Sequence, residues 1–149
     1  MKKQRSWRDK LHKEQERVIK PTDIGIMLIA KPTDIDEVMK EIEFGKLATV
    51  ATIREYLAKK YNAEITCPLT TGIFVWVAAN AAEEEFSIGN KNITPYWRTL
   101  KSDGSLNEKY PGGVEAQATK LQAEGHTIIP GKCKKPPKVT DFEKKLQKL

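Results

Sequence analysis

The stretch ITPYWRTLKSDGSLNEKYPGG, residues 93–113, is the part of the sequence that decides the fold. It places a proline directly before two bulky aromatic residues, Tyr96 and Trp97. Alternating polar and apolar residues then run into Asp103-Gly104, a strong turn pair, so we expect two short strands joined by a tight turn. Tyr96 and Trp97 lie at the mouth of this hairpin, where they either take part in chemistry, stack on a ligand or fill space.

The two segments before residue 63 predict amphipathic helices. TDIDEVMKEIEFG begins with Thr33 or Asp34 as the N-cap and stops at Gly45, and its apolar residues recur every three or four positions. KLATVATIREYLAKKYNA begins at Thr49, another good N-cap, and ends near Asn62.

ITCPLTTGIFVWVAANAAEEE predicts a third helix with Pro68 near its first position, which suits a residue without an N–H group. Its middle is apolar on more than one face, at Ile73, Phe74, Trp76 and Val77, so we expect this helix to be largely buried. Two helices joined by a short link, the second with a threonine-rich start, resemble a helix-turn-helix. A hairpin that follows such a pair is a wing.

The flanks of this unit carry further elements. Trp7 and Leu11 are four residues apart on one face of a short helix that would dock on the body, and residues 25–32, GIMLIAKP, predict a strand or extended segment. VEAQATKLQAEGH predicts a helix after the hairpin. The Pro/Lys-rich end becomes amphipathic at Phe142 and Leu146, so we expect it to fold back on the body.

These elements predict an α+β protein that is mostly α-helical, a winged helix-turn-helix with basic extensions at both ends. We divide the chain into a basic N-terminal extension (residues 1–32), a winged-helix domain (residues 33–129) and a basic Pro/Lys-rich tail with a short helix (residues 130–149). The length of 149 residues suits one domain.

Positive charge is concentrated at the two ends of the chain. The formal net charge is +6, but residues 1–20 and residues 131–149 each carry +5, which leaves −4 on residues 21–130. Basic tails on a mildly acidic body suit either a sequence-independent attraction to phosphate or simple solubilising flanks, and both interpretations stay open.

Several classes of protein are excluded by composition. No run of about 18 apolar residues exists, so we expect no membrane span, and the basic N-terminus lacks the apolar core of a secretory signal. We therefore expect a cytoplasmic protein. The cysteines Cys67 and Cys133 and the two histidines show no metal-ligand spacing, which predicts free thiols, no metal site and no cofactor.

Four segments resemble the C-terminal domain of the alkylguanine-DNA alkyltransferases in their order and in their amino-acid sequences: GKLATVATI, TTGIFVWVAANA, TPYWRTLKSDGSLNEKYPGG and LQAEGH. They are similar also to the alkyltransferase-like proteins, which lack the reactive cysteine. The resemblance covers roughly residues 34–128. The matching positions in its most specific part are Pro95, Arg98, Ser102, Gly104, Tyr110, Gly112, Gly113, Glu124, Gly125 and His126.

The resemblance implies the fold of that domain but not its chemistry. In the family, a Pro-Cys-His-Arg motif supplies a thiolate that takes an alkyl group from a flipped guanine, and its histidine relays a proton to a glutamate. Here Tyr96 and Trp97 stand at the cysteine and histidine positions, and Glu124 matches the glutamate without a relay. Because tyrosine is far less available as a nucleophile and tryptophan accepts no proton, alkyl transfer by this route is excluded.

The resemblance to the alkyltransferase-like proteins implies a non-enzymatic protein that binds DNA, recognises modified bases and recruits a repair protein. Two of the family's DNA contacts are missing from this chain. The tyrosine that rotates a phosphate aligns with Val50, and the arginine that fills the gap left by the flipped base aligns near Thr71 or Gly72. The resemblance still implies DNA as the partner, with duplex DNA that contains alkylated guanine as a candidate ligand. We also expect a monomer.

Two sets of candidate site residues follow. Threonines at helix N-termini, together with cationic side chains near the hairpin, would contact DNA, although the threonines would equally serve as N-caps and Arg98 would equally hold the hairpin. The DNA-binding candidates are Thr49, Thr52, Thr70, Thr71, Arg98 and Lys101. The pocket candidates, whose aromatics either stack on a base or fill the void, are Tyr96, Trp97, Tyr110, Gly112, Gly113 and Glu124.

Two hypotheses from other classes stay open beside DNA binding. The first is a repurposed interaction or small-molecule-binding module in which Tyr96 and Trp97 close the base pocket; the acidic body favours it. The second is an enzyme that uses Cys67, since a thiol at a helix start can have a lowered pKa.

Overall fold

The computed structural model describes residues 6–149, and it is an α+β structure dominated by helices, as the sequence predicts. Lys2, Lys3 and Arg5 of the basic N-terminal extension lie outside the described residues. The α-helices are α1 (Trp7–Leu11), α2 (Pro32–Lys40), α3 (Val50–Lys60), α4 (Pro68–Ser87) and α5 (Gly113–Ala123). The strands are β1 (Val18–Thr22), β2 (Gly25–Ile29), β3 (Ala48–Thr49), β4 (Ile65–Thr66), β5 (Thr99–Leu100), β6 (Ile128–Ile129) and β7 (Lys138–Val139).

The long helix α4 is the centre of the larger hydrophobic core. Helices α1, α2 and α3 pack against it, and its core face is rich in alanine, which lets the neighbouring helices approach closely. A three-stranded sheet in the order β1-β2-β4 also contributes to this core through Leu28. Strand β1 contains Pro21 and occupies the sheet edge, where a residue without an N–H group is tolerated.

Helix α1 docks on α4, which confirms the prediction for the N-terminal segment. Leu11 is buried, and the rings of Trp7 and Trp76 meet edge to face with their centroids 4.6 Å apart. The Glu84 carboxylate accepts the backbone N–H of Trp7 at 3.0 Å and that of Arg8 at 3.3 Å. Glu84 thus satisfies N–H groups at the start of α1 that have no partner within that helix.

Helix α2 begins earlier and ends earlier than its sequence predicts. Its N-cap is Lys31, not Thr33 or Asp34, because the Asp34 carboxylate accepts the Lys31 N–H at 2.9 Å from the third helical position. Asp34 also receives two hydrogen bonds of 2.8 Å from the Arg17 guanidinium. The helix ends at Lys40 rather than continuing to Gly45, yet Ile42 just beyond it is still buried in the core.

Helix α3 is correctly predicted at both ends. Thr49 and Thr52 form a reciprocal capping box, in which the Thr52 N–H donates to Thr49 Oγ1 at 3.1 Å and the Thr49 N–H donates to Thr52 Oγ1 at 2.9 Å. The helix ends at Lys60, and Asn62 then takes a left-handed backbone conformation with φ 55°. Ile53 and Leu57 are buried on the core face, as the periodicity predicts.

The strands expected after Trp97 do not pair with each other, so the predicted hairpin is wrong. Tyr96–Arg98 form a 3₁₀ turn, and β5 pairs in parallel with β3 instead. The turn itself is present, because the Lys101 N–H donates to the Ser105 carbonyl at 3.0 Å and Gly104 is left-handed with φ +86°. Ser105 bridges to Lys138 in β7, because the C-terminal tail returns to occupy that edge.

The tail folds back on the body, as predicted, and completes a second hydrophobic core. Strands β6 and β7 pair antiparallel, and Leu146 lies beside Leu47, whose N–H and carbonyl bond the backbone of Lys145 and Gln147 at 2.9 and 2.8 Å. Phe142 packs into the same cluster. The buried members of this second core are Leu47, Leu100, Leu106, Leu121 and Val139.

Two further findings concern the part of the chain that the structure describes. No helix within residues 6–149 is long and apolar enough to cross a membrane. Over the same residues, no group of three or more His, Cys, Asp or Glu side chains gathers in an arrangement that could hold a metal ion.

Candidate nucleic-acid interface and aromatic site

Tyr96 is a core residue with only 1% of its surface exposed. Its hydroxyl donates to the Glu83 carboxylate of α4 at 2.7 Å. Its ring meets Trp97 and Tyr110 edge to face, at centroid separations of 5.4 and 5.2 Å. Burial, together with the hydrogen bond and negative charge of Glu83, raises the pKa of Tyr96 far above its usual value, so the phenol stays protonated and is no nucleophile.

Trp97 and Arg98 converge on Glu124 at the end of α5. The Trp97 indole Nε1 donates to the carboxylate at 2.6 Å, and Arg98 Nε donates at 2.9 and 3.0 Å to its two oxygens. The Gly45 N–H adds a bond of 3.1 Å, and Arg98 also donates to the Ile42 carbonyl at 2.6 Å. Burial alone would raise the pKa of Glu124, but these donors outweigh it and the pKa is lowered.

The Glu124 network makes this carboxylate a structural anchor. It joins α5, the 3₁₀ turn at Tyr96–Arg98 and the loop that follows α2. An ionised carboxylate that already accepts from Arg98, Trp97 and Gly45 has little capacity left to accept a proton from a reacting group. Glu124 therefore holds these elements together and does not act as a proton acceptor.

The structure brings the predicted pocket residues together, but their side chains fill the space between them. Tyr110 is buried and its hydroxyl donates to the Thr99 carbonyl at 2.9 Å. Gly112 and Gly113 form the left-handed entry to α5, with φ 80° and 72°, and a Cβ on Gly112 would lie 2.5 Å from that of Ala116. We call Tyr96, Trp97 and Tyr110 the aromatic site; Tyr96 occupies its interior.

An open groove lies beside the aromatic site, on the exposed side of Trp97. Its volume is about 500 Å³. The Lys120 ammonium lies 4.8 Å from the Trp97 ring centroid and Arg98 lies 5.6 Å from it, so cations flank the half-buried indole. We call this the Trp97 groove; it is lined by Lys40, Asn92, Ile93, Pro95, Trp97 and Arg98.

A larger groove of about 720 Å³ runs along the first half of α4. Leu69, Ile73 and Trp76 follow one face of the helix and are 71%, 44% and 37% exposed. The prediction that Ile73 and Trp76 are buried is therefore wrong, because the core side of α4 is taken by Val75 and the alanines. We call this the α4 groove; it is lined by Val50, Pro68, Leu69, Gly72, Ile73, Trp76, Lys101, Asn107, Glu108 and Lys109.

The α4 groove was not predicted from the sequence, although a signal was present. Positions 69, 73 and 76 are spaced by four and three residues, which places them on one helical face. Val75 and the alanines already form the face of α4 that packs into the core. A second apolar stripe on the same helix must therefore lie at the surface. Lys109, which lines this groove, was also missed.

The predicted DNA-contact residues differ in how available they are. Thr49 is buried in the α3 cap with Thr52, which favours N-capping. Thr71 is buried within the first turn of α4, where its hydroxyl donates to the Cys67 carbonyl at 2.7 Å, so it is not the N-cap. Thr70 is half-buried at the same helix start. Arg98 is engaged by Glu124, whereas Lys101 reaches the α4 groove in a surface pair with Glu108 at 2.7 Å.

Cys67 is the N-cap residue of α4 and is half-buried. Burial alone would raise the pKa of its thiol, but hydrogen bonds from Thr70 and the Leu69 backbone, with the charge of Arg54, lower it. The thiol therefore ionises more readily than an ordinary cysteine, while Cys133 in the tail is exposed.

The chain is similar in structure to solved alkyltransferase-like proteins, although its sequence matches no known family. No protein-family model matches the sequence, and no curated protein matches it. A solved structure of S. pombe Atl1 in complex with damaged DNA containing O6-carboxymethylguanine is similar over 79% of this chain and 94% of that one, with a TM-score of 0.55 and 18% identity. A structure of S. pombe ATL in complex with DNA covers the same shares, with a TM-score of 0.53 and 17% identity.

The shared feature is the fold. At 17–18% identity the likeness extends to the arrangement of the backbone over nearly the whole of both S. pombe chains. It confirms the fold that the sequence resemblance implies, which spans the helix pair α3 and α4 and the segment from Tyr96 to α5.

Proposed function

We propose that this chain is a non-enzymatic DNA-binding protein of the alkyltransferase-like type. The observation that carries the proposal is the likeness of its fold to two solved S. pombe structures with DNA bound, over 94% of the chain in each. Fold alone does not define function, so the proposal must also rest on the surface and the site of this chain.

The α4 groove is the surface that we assign to DNA. It lies at the N-terminal end of a helix of 20 residues, where the helix dipole and free N–H groups favour phosphate. Lys101 and Lys109 line one side of it, and Thr70 lies at the same helix start. The other end of α4 carries Glu83, Glu84 and Glu85 and would repel a phosphate backbone.

The aromatic site supports the proposal that this protein does not transfer alkyl groups by way of Tyr96. A buried, protonated Tyr96 cannot accept an alkyl group at neutral pH, and the Trp97 indole donates to Glu124 instead of relaying a proton. Incubation with an oligonucleotide that contains O6-methylguanine, followed by intact-protein mass spectrometry, should show no mass gain. A gain that disappears in Cys67→Ser would instead support the enzyme hypothesis.

Recognition of a modified base, in this proposal, uses the Trp97 groove. Tyr96 fills the interior of the aromatic site, so a base can approach only from the exposed side of Trp97. An aromatic face with neighbouring hydrogen-bonding groups suits a base, since base stacking on such a face is worth roughly 1–3 kcal/mol. Asn92 and Pro95 line this same groove.

Direct titration tests the proposal. Fluorescence anisotropy would compare a duplex containing one O6-methylguanine with the unmodified duplex over a range of salt concentrations. We expect salt-dependent binding to both, tighter for the modified duplex. Absence of salt-dependent binding to either duplex would refute DNA binding, and equal binding to both would refute lesion recognition.

Matched variants separate the two grooves. Lys109→Glu in the α4 groove should weaken binding to both duplexes, while Lys91→Glu, beyond the far end of α4, should weaken it much less. Asn92→Ala in the Trp97 groove should lower the preference for the modified duplex and leave affinity for the unmodified duplex unchanged.

A repurposed protein-interaction module is the second candidate function, and one observation favours it. Leu69, Ile73 and Trp76 form an exposed apolar face of a kind that often marks a protein-binding site. A photo-crosslinker placed at position 69 would distinguish the candidates, because crosslinks to a protein but none to duplex DNA would favour the module.

Three further parts of the proposal await their own measurements. We propose that the protein is a monomer, which light scattering tests, and that it acts in the cytoplasm, which imaging of the tagged chain tests. We also propose that it recruits a repair protein when bound to a lesion, which affinity capture on modified against unmodified duplex tests.

A further inference from the structure

The loop between β6 and β7 is the most concentrated patch of positive charge in the described chain. Four exposed lysines fall within seven positions, at Lys132, Lys134, Lys135 and Lys138. Residues 125–140 contain no Asp or Glu. Within residues 6–149, none of these four lysines takes part in an ion pair. We call residues 130–138 the lysine loop.

The lysine loop has a defined shape and is more than a flexible basic tail. The β6–β7 pairing holds both of its ends, and the Lys135 N–H donates to the Lys132 carbonyl at 3.0 Å. Cys133 takes a left-handed conformation with φ 57° between them. A Cβ at Gly131 would overlap the Lys135 carbonyl oxygen, so the loop closes tightly there. Prolines at 130, 136 and 137 restrict it further.

The base of this loop is bonded to the turn that borders the α4 groove. The Leu106 N–H donates to the Pro137 carbonyl at 2.9 Å, and the Val139 N–H donates to the Gly104 carbonyl at 3.1 Å. The same turn begins at Lys101 and leads directly into residues 107–109, all of which line the α4 groove. The tail therefore holds the base of the lysine loop against the turn that leads into the α4 groove, where we expected a hairpin wing.

We infer that the lysine loop contacts the phosphate backbone of duplex DNA that is bound at the α4 groove. This inference rests on the proposed function and assigns one part of the interface to the tail. Lysine ammonium groups act as point charges and read no base sequence, so the contact adds affinity without sequence preference. Because the loop is already ordered, little conformational entropy is lost when it binds.

The size of the effect follows from the number of charges. Each phosphate that a lysine neutralises contributes about 0.9 to the slope of log K against log salt concentration. Neutralising three lysines at the tip of the loop should therefore reduce the slope by roughly 2–3. The reduction should be the same for duplexes of different sequence.

The experiment compares four proteins on one unmodified duplex. The test variant is Lys132→Gln/Lys134→Gln/Lys135→Gln, and its rescue is the same triple change to Arg, which keeps the charge. The matched control, Lys20→Gln/Lys59→Gln/Lys91→Gln, removes the same charge from exposed lysines that lie outside the α4 groove. Circular dichroism and thermal unfolding establish that each variant is folded.

The outcomes distinguish this inference from the proposed function. We expect the Gln variant alone to lose slope, with the Arg variant and the control close to the wild type. If the wild type binds DNA and the Gln variant keeps the full slope, the lysine loop is not a contact and the α4 groove stands alone. If the wild type does not bind DNA, both ideas fall. Loss of binding to anionic vesicles with an unchanged DNA slope would overturn the inference in favour of a membrane contact.

Discussion

The change Glu124→Ala tests whether the carboxylate at the end of α5 is a structural anchor. It removes the acceptor for the Trp97 indole at 2.6 Å, for Arg98 Nε at 2.9 and 3.0 Å and for the Gly45 N–H at 3.1 Å. The side chains of Arg98 and Glu124 are only 14% and 5% exposed. The change would therefore leave the Arg98 guanidinium and the Trp97 indole N–H without their acceptor, in a place where little water can replace the Glu124 carboxylate.

The expected loss in the free energy of unfolding is about 3 kcal/mol. Removing one partner of a buried ion pair commonly costs 3–5 kcal/mol, because the other charge stays buried without compensation. Arg98 keeps its hydrogen bond to the Ile42 carbonyl and its contact with the exposed Phe44 ring, which favours the lower end of that range. For a chain of this length the midpoint of thermal unfolding should fall by roughly 6–12 °C.

Urea unfolding followed by circular dichroism measures this loss, and Glu108→Ala is the matched control. Glu108 also pairs with a cation, Lys101 at 2.7 Å, but its side chain is 55% exposed. A surface pair of this kind contributes about 0–1 kcal/mol, so the control should stay close to the wild type. A loss below about 1 kcal/mol for Glu124→Ala, or equal losses for both variants, would refute the anchor assignment.

The contribution of Glu124 to the free energy of unfolding should also depend on pH. Since the folded pKa of Glu124 lies below its ordinary value of 4.5, its ionised form stabilises the fold above that value. This contribution should be lost as the pH falls from near 4.5 through the lowered folded pKa. The difference in unfolding free energy between wild type and Glu124→Gln should therefore be constant near neutral pH and shrink in acid. A difference that does not change with pH would show that charge is not its cause.

The remaining predictions concern three other positions, each measured by chemical denaturation. Tyr96→Phe removes the hydroxyl that donates to Glu83 and should cost about 1–2 kcal/mol, since the half-buried carboxylate can partly rehydrate; no loss would mean that the bond is replaced by water. Gly104→Ala should cost at least about 1–2 kcal/mol, because φ is +86° and a Cβ would overlap Phe142; an unchanged stability would contradict the turn geometry. Thr49→Ala should cost about 1 kcal/mol through loss of the α3 cap, while Thr49→Ser should keep most of it.

Helix α3 could be predicted from the sequence because its determinants are local. The Thr49 cap, the buried pair Ile53 and Leu57, and the stop near Asn62 all lie within fourteen residues. The start of helix α2 was predicted less well, although its determinant is also local. Its true N-cap, Lys31, bonds to Asp34 through its backbone, and backbone bonding leaves no preference for a residue type at the cap.

The pairing of the strands could not be predicted, because every competing partner is distant in sequence. Two residues of β5 are too few to specify a partner, and β3 lies about fifty positions earlier. Ser105 and Leu106 were expected to pair back toward Thr99, but the tail supplies Pro137 to Val139 at that edge. The turn at Gly104 was nevertheless correct, since its left-handed conformation depends on residues 101–105 alone.

The residues of the aromatic site could be named from the sequence, but their partners could not. Tyr96 and Trp97 were identified as either stacking on a base or filling space, and the choice depends on Glu83 and Glu124. No sequence pattern links Glu83, at the end of α4, to Tyr96, thirteen positions later. Its hydrogen bond to Tyr96 gives the side chain a structural partner and fixes the tyrosine in the core.

Two separate parts of α4 contribute to the α4 groove and to the aromatic site. Trp76, the last α4 residue of the groove, and Glu83, which holds Tyr96, are seven residues apart, or about 10 Å along the helix axis. Burial, with the hydrogen bond and negative charge of Glu83, raises the pKa of the Tyr96 phenol, so this side chain is not available as a nucleophile near neutral pH. Glu124 is likewise saturated by donors that hold α5 in place. Glu83 and Glu124, which hold Tyr96 and Trp97 by hydrogen bonds, therefore lie outside the lining of the α4 groove.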